Sequence, residues 1–392
     1  MNHAVRPWIV ATFIGLMIIS PTKATDAQEM KEYIRGHKVR AEKGHADSQI
    51  ILADFYYKGL GGVKDYVQAV SWYRKAAEQG FSKAQIGLAI CYLGGDGVAK
   101  DEAEAVAWFR KAADQGSMEA QYRLGNYYFD WSFNHVIKRS GNPEQAVFWL
   151  RKAADQGHAS AQGNLGHHYS EGEGVAKDLK QAVFWLRKAA DQGLVSAQLH
   201  LGIIYQEEEQ VMDLVQAFRW LQKPAEQGSV IAQWRLGTCF YFGQGVSVDF
   251  AQAALWWRKA AEQGHAESQA SLGYCYAEGK GLVKDEVQAV SWYRKAAGQG
   301  SARAQTCLGF CYAVGNGVPK DEIEAYAYYN LAGVKEEIAR KSLAELEKKM
   351  SSDARILGQQ RTKRLKEEME RGLDEMRGLL KTADKDKLKK GA

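Results

Sequence analysis

Ser291-Trp292-Tyr293-Arg294-Lys295-Ala296-Ala297-Gly298-Gln299-Gly300 is the last full copy of an ending that returns along the whole chain. The block that it closes is written eight times, the eighth without this ending. The closing glycines are Gly44, Gly80, Gly116, Gly157, Gly193, Gly228, Gly264 and Gly300, 36 residues apart except for one block of 41 and one of 35. A fixed period in this range marks stacked supersecondary units. It overrides the two or three domains that 392 residues would otherwise suggest, because a repeat array buries its core between neighbours and grows without splitting.

Each block carries two helical patterns. The second has a tryptophan eight residues before the closing glycine in seven copies: Trp72, Trp108, Trp149, Trp185, Trp220, Trp256 and Trp292. Alanines three residues ahead of each, such as Ala69 and Ala105, share that face, and the pair Ala76-Ala77 lies one turn beyond. This periodicity assigns the tryptophans to the core. The helix start is marked by Asp with Gln or Glu three residues later, as in Asp65 and Gln68 or Asp321 and Glu324, the spacing of a capping box. In the third block Asn142 takes the cap and Pro143 the first helical position, where proline is best tolerated.

The first helix reads Ala-Gln, Leu-Gly, Tyr, as in Ala161-Gln162, Leu165-Gly166 and Tyr169, a stripe at i, i+4 and i+8. Gly-x-Gly-Val, for example Gly95-Asp96-Gly97-Val98, joins the two helices, glycine supplying the positive φ of a tight connection. This Gly-x-Gly follows a helix and recurs with the period, which sets it apart from a phosphate-binding loop after a strand.

Together, Ala-x-x-x-Leu-Gly-x-x-Tyr, Gly-x-Gly-Val, Lys-Asp and Ala-x-x-Trp-Tyr/Phe-x-Lys-Ala-Ala-x-x-Gly resemble the Sel-one-like repeats, cousins of the tetratricopeptide repeats, over residues 44–332. The resemblance implies an all-α fold, an α/α superhelical solenoid of about eight helix-turn-helix repeats. It implies a non-enzymatic adaptor or scaffold that binds a protein or peptide on its concave face, without cofactor, metal or small-molecule substrate. Similar exported bacterial proteins serve envelope functions and host contact. In the related tetratricopeptide geometry the Leu-Gly and Tyr positions turn inward, which leaves their neighbours facing the groove: Ile50, Tyr57, Ile90, Leu93, Tyr122, Phe129, His167, Trp234, Tyr241, Tyr274 and Phe310. An apolar and aromatic set on a face in water points to contact. Some relatives pair a cysteine from each helix of a repeat, but this chain has no second-helix cysteine. Others have been linked to β-lactams; the only Ser-x-x-Lys here is Ser20 to Lys23, in the leader.

Outside the repeats, an apolar run from Trp8 to Ile19 after His3 and Arg6, then Thr22 and Ala24, has the three regions of a secretory signal over residues 1–24. The run is short for a membrane span, so the expectation is cleavage before Thr25 and a periplasmic or secreted protein. Residues 25–43 read as a lone second helix, with Ala41-Glu42-Lys43-Gly44 at its end, capping the first repeat. Residues 333–392 read as C-terminal capping helices and a charged tail. Leu365, Met369, Leu373, Met376 and Leu380 form a stripe that suits a cap, a coiled-coil arm or a frayed end.

The third block is lengthened around Trp131 and Phe133, an insertion that plugs the array's edge or offers an aromatic contact. The fifth is shortened, with Glu207-Glu208-Glu209-Gln210 in place of Gly-x-Gly and Pro224 in place of an alanine, which predicts a local bend. Cys91, Cys239, Cys275 and Cys311 share one first-helix position in different blocks. Stacked helices lie about 8–10 Å apart, beyond the roughly 7 Å reach of a disulfide, so with Cys307 they read as free and mostly buried thiols. His45, His158 and His265 stand at helix starts, and His167, His168 and His200 lack a Cys or carboxylate at ligand spacing. Basic residues, 52 against 47 acidic, are interleaved without a stripe, against nucleic-acid binding. A second functional class stays open, an exported hydrolase or a regulator of an envelope enzyme with its site near the Trp131 loop.

Overall fold

A computed structural model describes residues 24–60, 64–129 and 141–390. Among them are nineteen α-helices and no strand. The fold is all-α, an α/α solenoid of eight helix-turn-helix repeats, and the chain divides into two compact units. The first runs to Gln192 and holds α1 (Ala24–Glu42), α2 (Ala46–Lys58), α3 (Tyr66–Glu78), α4 (Ser82–Gly94), α5 (Glu102–Asp114), α6 (Met118–Tyr128), α7 (Pro143–Asp155), α8 (Ala159–Glu171) and α9 (Leu179–Asp191). The second starts at Gly193 and holds α10 (Val195–Glu207), α11 (Leu214–Glu226), α12 (Val230–Phe242), α13 (Phe250–Glu262), α14 (Ala266–Glu278), α15 (Glu286–Gly298), α16 (Ala302–Val314), α17 (Glu322–Ala332), α18 (Glu337–Glu347) and α19 (Ser352–Lys390). From α2 to α17, even labels are first helices of a repeat and odd labels second helices. Residues 1–23, all but the last of the expected signal 1–24, and the insertion residues Trp131 and Phe133 lie outside the described residues.

Every second helix starts where the sequence reading places it, on an Asp or Asn whose side chain accepts backbone N–H bonds: Asp101 from Ala103 and Glu104, Asn142 from Gln145 at 2.9 Å. The reciprocal half of the capping box is replaced. The cap's own N–H donates to the carbonyl of the preceding first helix, Asp101 to Tyr92 at 3.0 Å and Asp285 to Tyr276 at 2.9 Å. The tight connection brings that carbonyl, left orphan at a helix C-terminus, within reach of the cap. The bond survives both irregular repeats, from Asn142 to Tyr128 and from Asp213 to Tyr205, each at 3.0 Å. The second helices of the first seven repeats end on a glycine with φ between 85° and 98°, such as Gly300, a left-handed conformation that side chains resist.

The core is a double column. Leu52, Leu88, Leu124, Leu165, Leu201, Leu236, Leu272 and Leu308 on the first helices are no more than 1% exposed. The glycine after most of these leucines lets the second helix close in: a Cβ on Gly166 would stand 2.6 Å from Leu186 Cγ. The facing column departs from expectation. Trp72, Trp149 and Trp185 are buried, but Trp108, Trp220, Trp256 and Trp292 are half-buried. The residue one place on seals the core instead, Tyr73, Phe109, Leu150, Leu186, Leu221, Trp257, Tyr293 and Tyr329, none more than 5% exposed. Successive helical residues turn by about 100°, so the tryptophan falls at the edge of the buried face. There a lysine lies across its ring, Lys111 Nζ 3.8 Å from the Trp108 centroid and Lys295 Nζ 3.9 Å from that of Trp292.

At the ends the array is covered by helices. α1 finishes as most second helices do, Gln49 Nε2 donating to the Ala41 carbonyl at 3.1 Å. α19 packs along α17, with Thr362 and Leu365 buried and Arg361 Nε on Glu324 at 2.7 Å. In the fifth repeat the lost glycines are replaced by a short 3-10 turn, Glu209–Val211, and α11 runs on through the buried Pro224.

Candidate functional site

The first-helix face holds the aromatic positions that the resemblance turns toward a partner, and the structure sorts them by what covers each. Ile50 is corrected to core: it is 5% exposed and belongs to the buried cluster against which Ile34 of α1 packs. Ile90 and Leu93 on α4 are half-buried against the Phe109 cluster. Tyr57 donates its hydroxyl to Asp96 Oδ2 of the next repeat at 3.0 Å; burial and that carboxylate push its pKa up. Tyr122 stacks on His158 with centroids 4.2 Å apart, and Phe129 sets its edge on His168 at 4.2 Å. In the first unit these rings therefore grip neighbouring repeats.

In the second unit Trp234, Tyr241 and Tyr274 are half-buried too, and Phe310 is the exposed member of the set. Trp234 leans on His265 at 5.4 Å, and its carbonyl accepts the indole N–H of Trp257 at 3.1 Å. Tyr241 sits between Trp257, Phe250 and Tyr274, at 5.2, 5.1 and 6.3 Å, and burial with the Tyr274 hydroxyl raises its pKa to about 12. Phe310 is 53% exposed. Beside it a cavity of about 370 Å³ opens between α14, α15 and α16, with Tyr274, Phe310, Tyr293 and Cys307 in its walls, Ile338 and Ser342 of α18 at one side, and Glu278, Lys284, Glu286 and Asn316 at its polar border. That volume lies within the range of ligand pockets. Sequence reasoning found Tyr274 and Phe310 but missed Glu278 and Cys307, one turn from them on the same two helices, and Ile338, which joins them only through the packing of α18.

One sequence reading is corrected here: Glu171, one turn after His167 on α8, brings a carboxylate to His167 and to His200 of α10, and the ligand atoms of the three lie within 4.8 Å of one another, close enough to hold a metal ion. All five cysteines are free, four buried and Cys307 half-buried. Burial pushes the Cys91 thiol up to about 12 and those of Cys239, Cys275 and Cys311 to about 11, far from a nucleophilic thiolate. His168 is fully buried with Nδ1 2.9 Å from the Glu173 carbonyl, and burial lowers its pKa, the mark of a neutral structural imidazole. His158 and His265 cap helices through Nδ1, each accepting a backbone N–H at 3.2 Å; His45 occupies the same position without a side-chain bond.

Comparison with known proteins agrees with this architecture. The Sel1 repeat model matches residues 46–81, 82–117, 119–158, 159–194, 195–229, 230–265, 266–301 and 302–333. The structure of c5321, a protective antigen of uropathogenic Escherichia coli with an SLR fold, is 31% identical with a TM-score of 0.56, over 88% of this chain and 80% of that one. A Sel1 repeat protein from Oxalobacter formigenes is 31% identical with a TM-score of 0.58, over 85% of this chain and 99% of that one. No curated protein matches. Among the described residues no helix is long and apolar enough to cross a membrane. With eight matched repeats spanning most of its length, the chain belongs to the Sel1 repeat family.

Proposed function

We propose that this chain is a non-catalytic scaffold that holds a segment of a protein partner along its first-helix face, with the surface around Phe310 in the second unit as the principal contact. Sel1 repeat proteins are generally protein–protein interaction scaffolds. The observation that carries the finer reading is Phe310, a large apolar side chain held 53% exposed beside an aromatic-walled cavity, while the leucine column behind it is sealed. Exposed aromatics beside a preformed cavity are the usual anchors of protein recognition. The test is capture of a partner from the native source by the intact chain and by two paired variants, Trp234→Ser with Tyr241→Ser and Tyr274→Ser with Phe310→Ser. Loss of capture with helicity and melting nearly unchanged supports the reading; capture by both variants at the original level refutes it.

The same reading places the protein in the bacterial envelope or in contact with a host. The leader-like residues 1–24 and the likeness to a protective antigen support it. Mass spectrometry of protein from its native host is expected to show a chain beginning near Thr25, and a membrane-bound chain retaining Met1 would contradict this.

A further inference from the structure

We propose that the cavity between α14, α15 and α16 is a socket for a basic side chain, lysine or arginine, of the bound segment. The proposal rests on the scaffold reading above and specifies one of its contacts. Three features meet there. Tyr274, Tyr293 and Phe310 wall the cavity, and aromatic faces attract a cation within about 6 Å of the ring centroid. Of the charged groups that line it, Lys284 pairs with Glu286 at 2.9 Å and acts on Glu278 only through space, so that Glu278 forms no ion pair among the described residues. Glu278 is the exposed last residue of α14, one turn beyond Tyr274, so its carboxylate stands at the mouth while the ring lies behind it.

A long basic side chain satisfies all three. Its methylenes lie against the rings, and its charge reaches the carboxylate without leaving water, as amphipathic side chains do. An acidic side chain would meet Glu278 and Glu286; a purely apolar one would cover Glu278 and compensate nothing. One cation already uses this surface: the Arg303 guanidinium lies 6.0 Å from the Tyr274 centroid. Arg303 belongs to the first turn of α16, whereas Glu278 closes α14, and it is the group that an acidic segment would choose.

The experiment is selection from a random dodecapeptide phage library on the intact chain, followed by titration of the enriched peptides against Glu278→Gln and Glu278→Lys. Glu278 is exposed, so both variants are expected to fold. The expected result is enrichment of Lys or Arg at one fixed position, loss of affinity of about two- to fivefold in Glu278→Gln, and a switch toward Asp or Glu at that position in Glu278→Lys. Bound peptide should also slow alkylation of Cys307, which lines the same cavity. Peptides that carry no basic preference, or that bind Glu278→Gln as tightly as the original chain, overturn the socket and leave the scaffold standing. If no peptide is selected at all, the socket falls and the scaffold reading with it.

Discussion

Gln115 Nε2 donates to Gln85 Oε1 at 2.9 Å, joining the end of α5 to the start of α4 inside one repeat, while Gln85 Nε2 donates at 3.2 Å to the Ala77 carbonyl of the repeat before. The pair recurs as Gln79 on Gln49, Gln156 on Gln121, Gln263 on Gln233 and Gln299 on Gln269, at 2.7 to 2.8 Å. Each buried amide thus closes a repeat and fastens it to its neighbour. In the last repeat the Sδ of Met369 on α19 lies 3.8 Å from Gln305 Nε2, one of the contacts by which that helix ends the array.

Gln85→Leu is therefore expected to lose about 1–3 kcal/mol, because it removes two side-chain hydrogen bonds at once, leaving the Ala77 carbonyl to Gly80 N–H and the Gln115 amide to the Lys111 carbonyl alone. Urea unfolding checks this. An unchanged midpoint would show that the amide bonds contribute nothing net.

The two second-helix columns are expected to separate in their cost. Phe109→Ala should lose about 3–5 kcal/mol, the cost of deleting a buried aromatic, and Trp108→Ala clearly less, since Trp108 is half-buried under Lys111. Trp185→Ala, at 7% exposure, belongs with the larger losses. Hydrogen exchange should show each loss confined to its own and adjacent repeats; uniform loss of protection would mean one cooperative unit.

The period, the caps and the leucine column were legible because they are local and repeat with the chain. The glutamine bridge was not, since its partners stand thirty residues apart and each glutamine alone looks like an ordinary helix residue. The tryptophan column misled in part because its period placed every tryptophan on the core side, whereas the residue one place on lies nearer the centre of the buried face and four of the seven tryptophans fall at its edge. Ile50 has the groove register but lies in the buried cluster against which Ile34 of α1 packs; the cavity beside Phe310 exists only through side chains from successive helices and α18.

Gly97→Ala is expected to destabilise by about 1–3 kcal/mol, because Gly97 has φ +72° and a Cβ there would overlap the Tyr66 carbonyl of the preceding repeat. Gly36→Ala, with nothing near its Cβ, is the control and should be neutral or stabilising. Thermal melts of the two decide it.

Alkaline pH is expected to weaken the fold. Burial keeps the thiols of Cys239, Cys275 and Cys311 protonated up to about 11 when folded, against an ordinary value of 9.0. The unfolded chain then releases protons first, so this stability is full below pH 9.0, and is lost as pH rises through about 11. Cys239→Ala should flatten part of that decline in urea midpoints measured from pH 8 upward. An identical decline would assign it to other groups.

The most direct test of the scaffold account is photo-crosslinking in the native host with benzoylphenylalanine placed at Phe310, on the first-helix face, or at Val67, exposed on a second helix. The account predicts a discrete adduct from position 310 and none from position 67. Adducts from position 67 alone, or equal adducts from both, would contradict it.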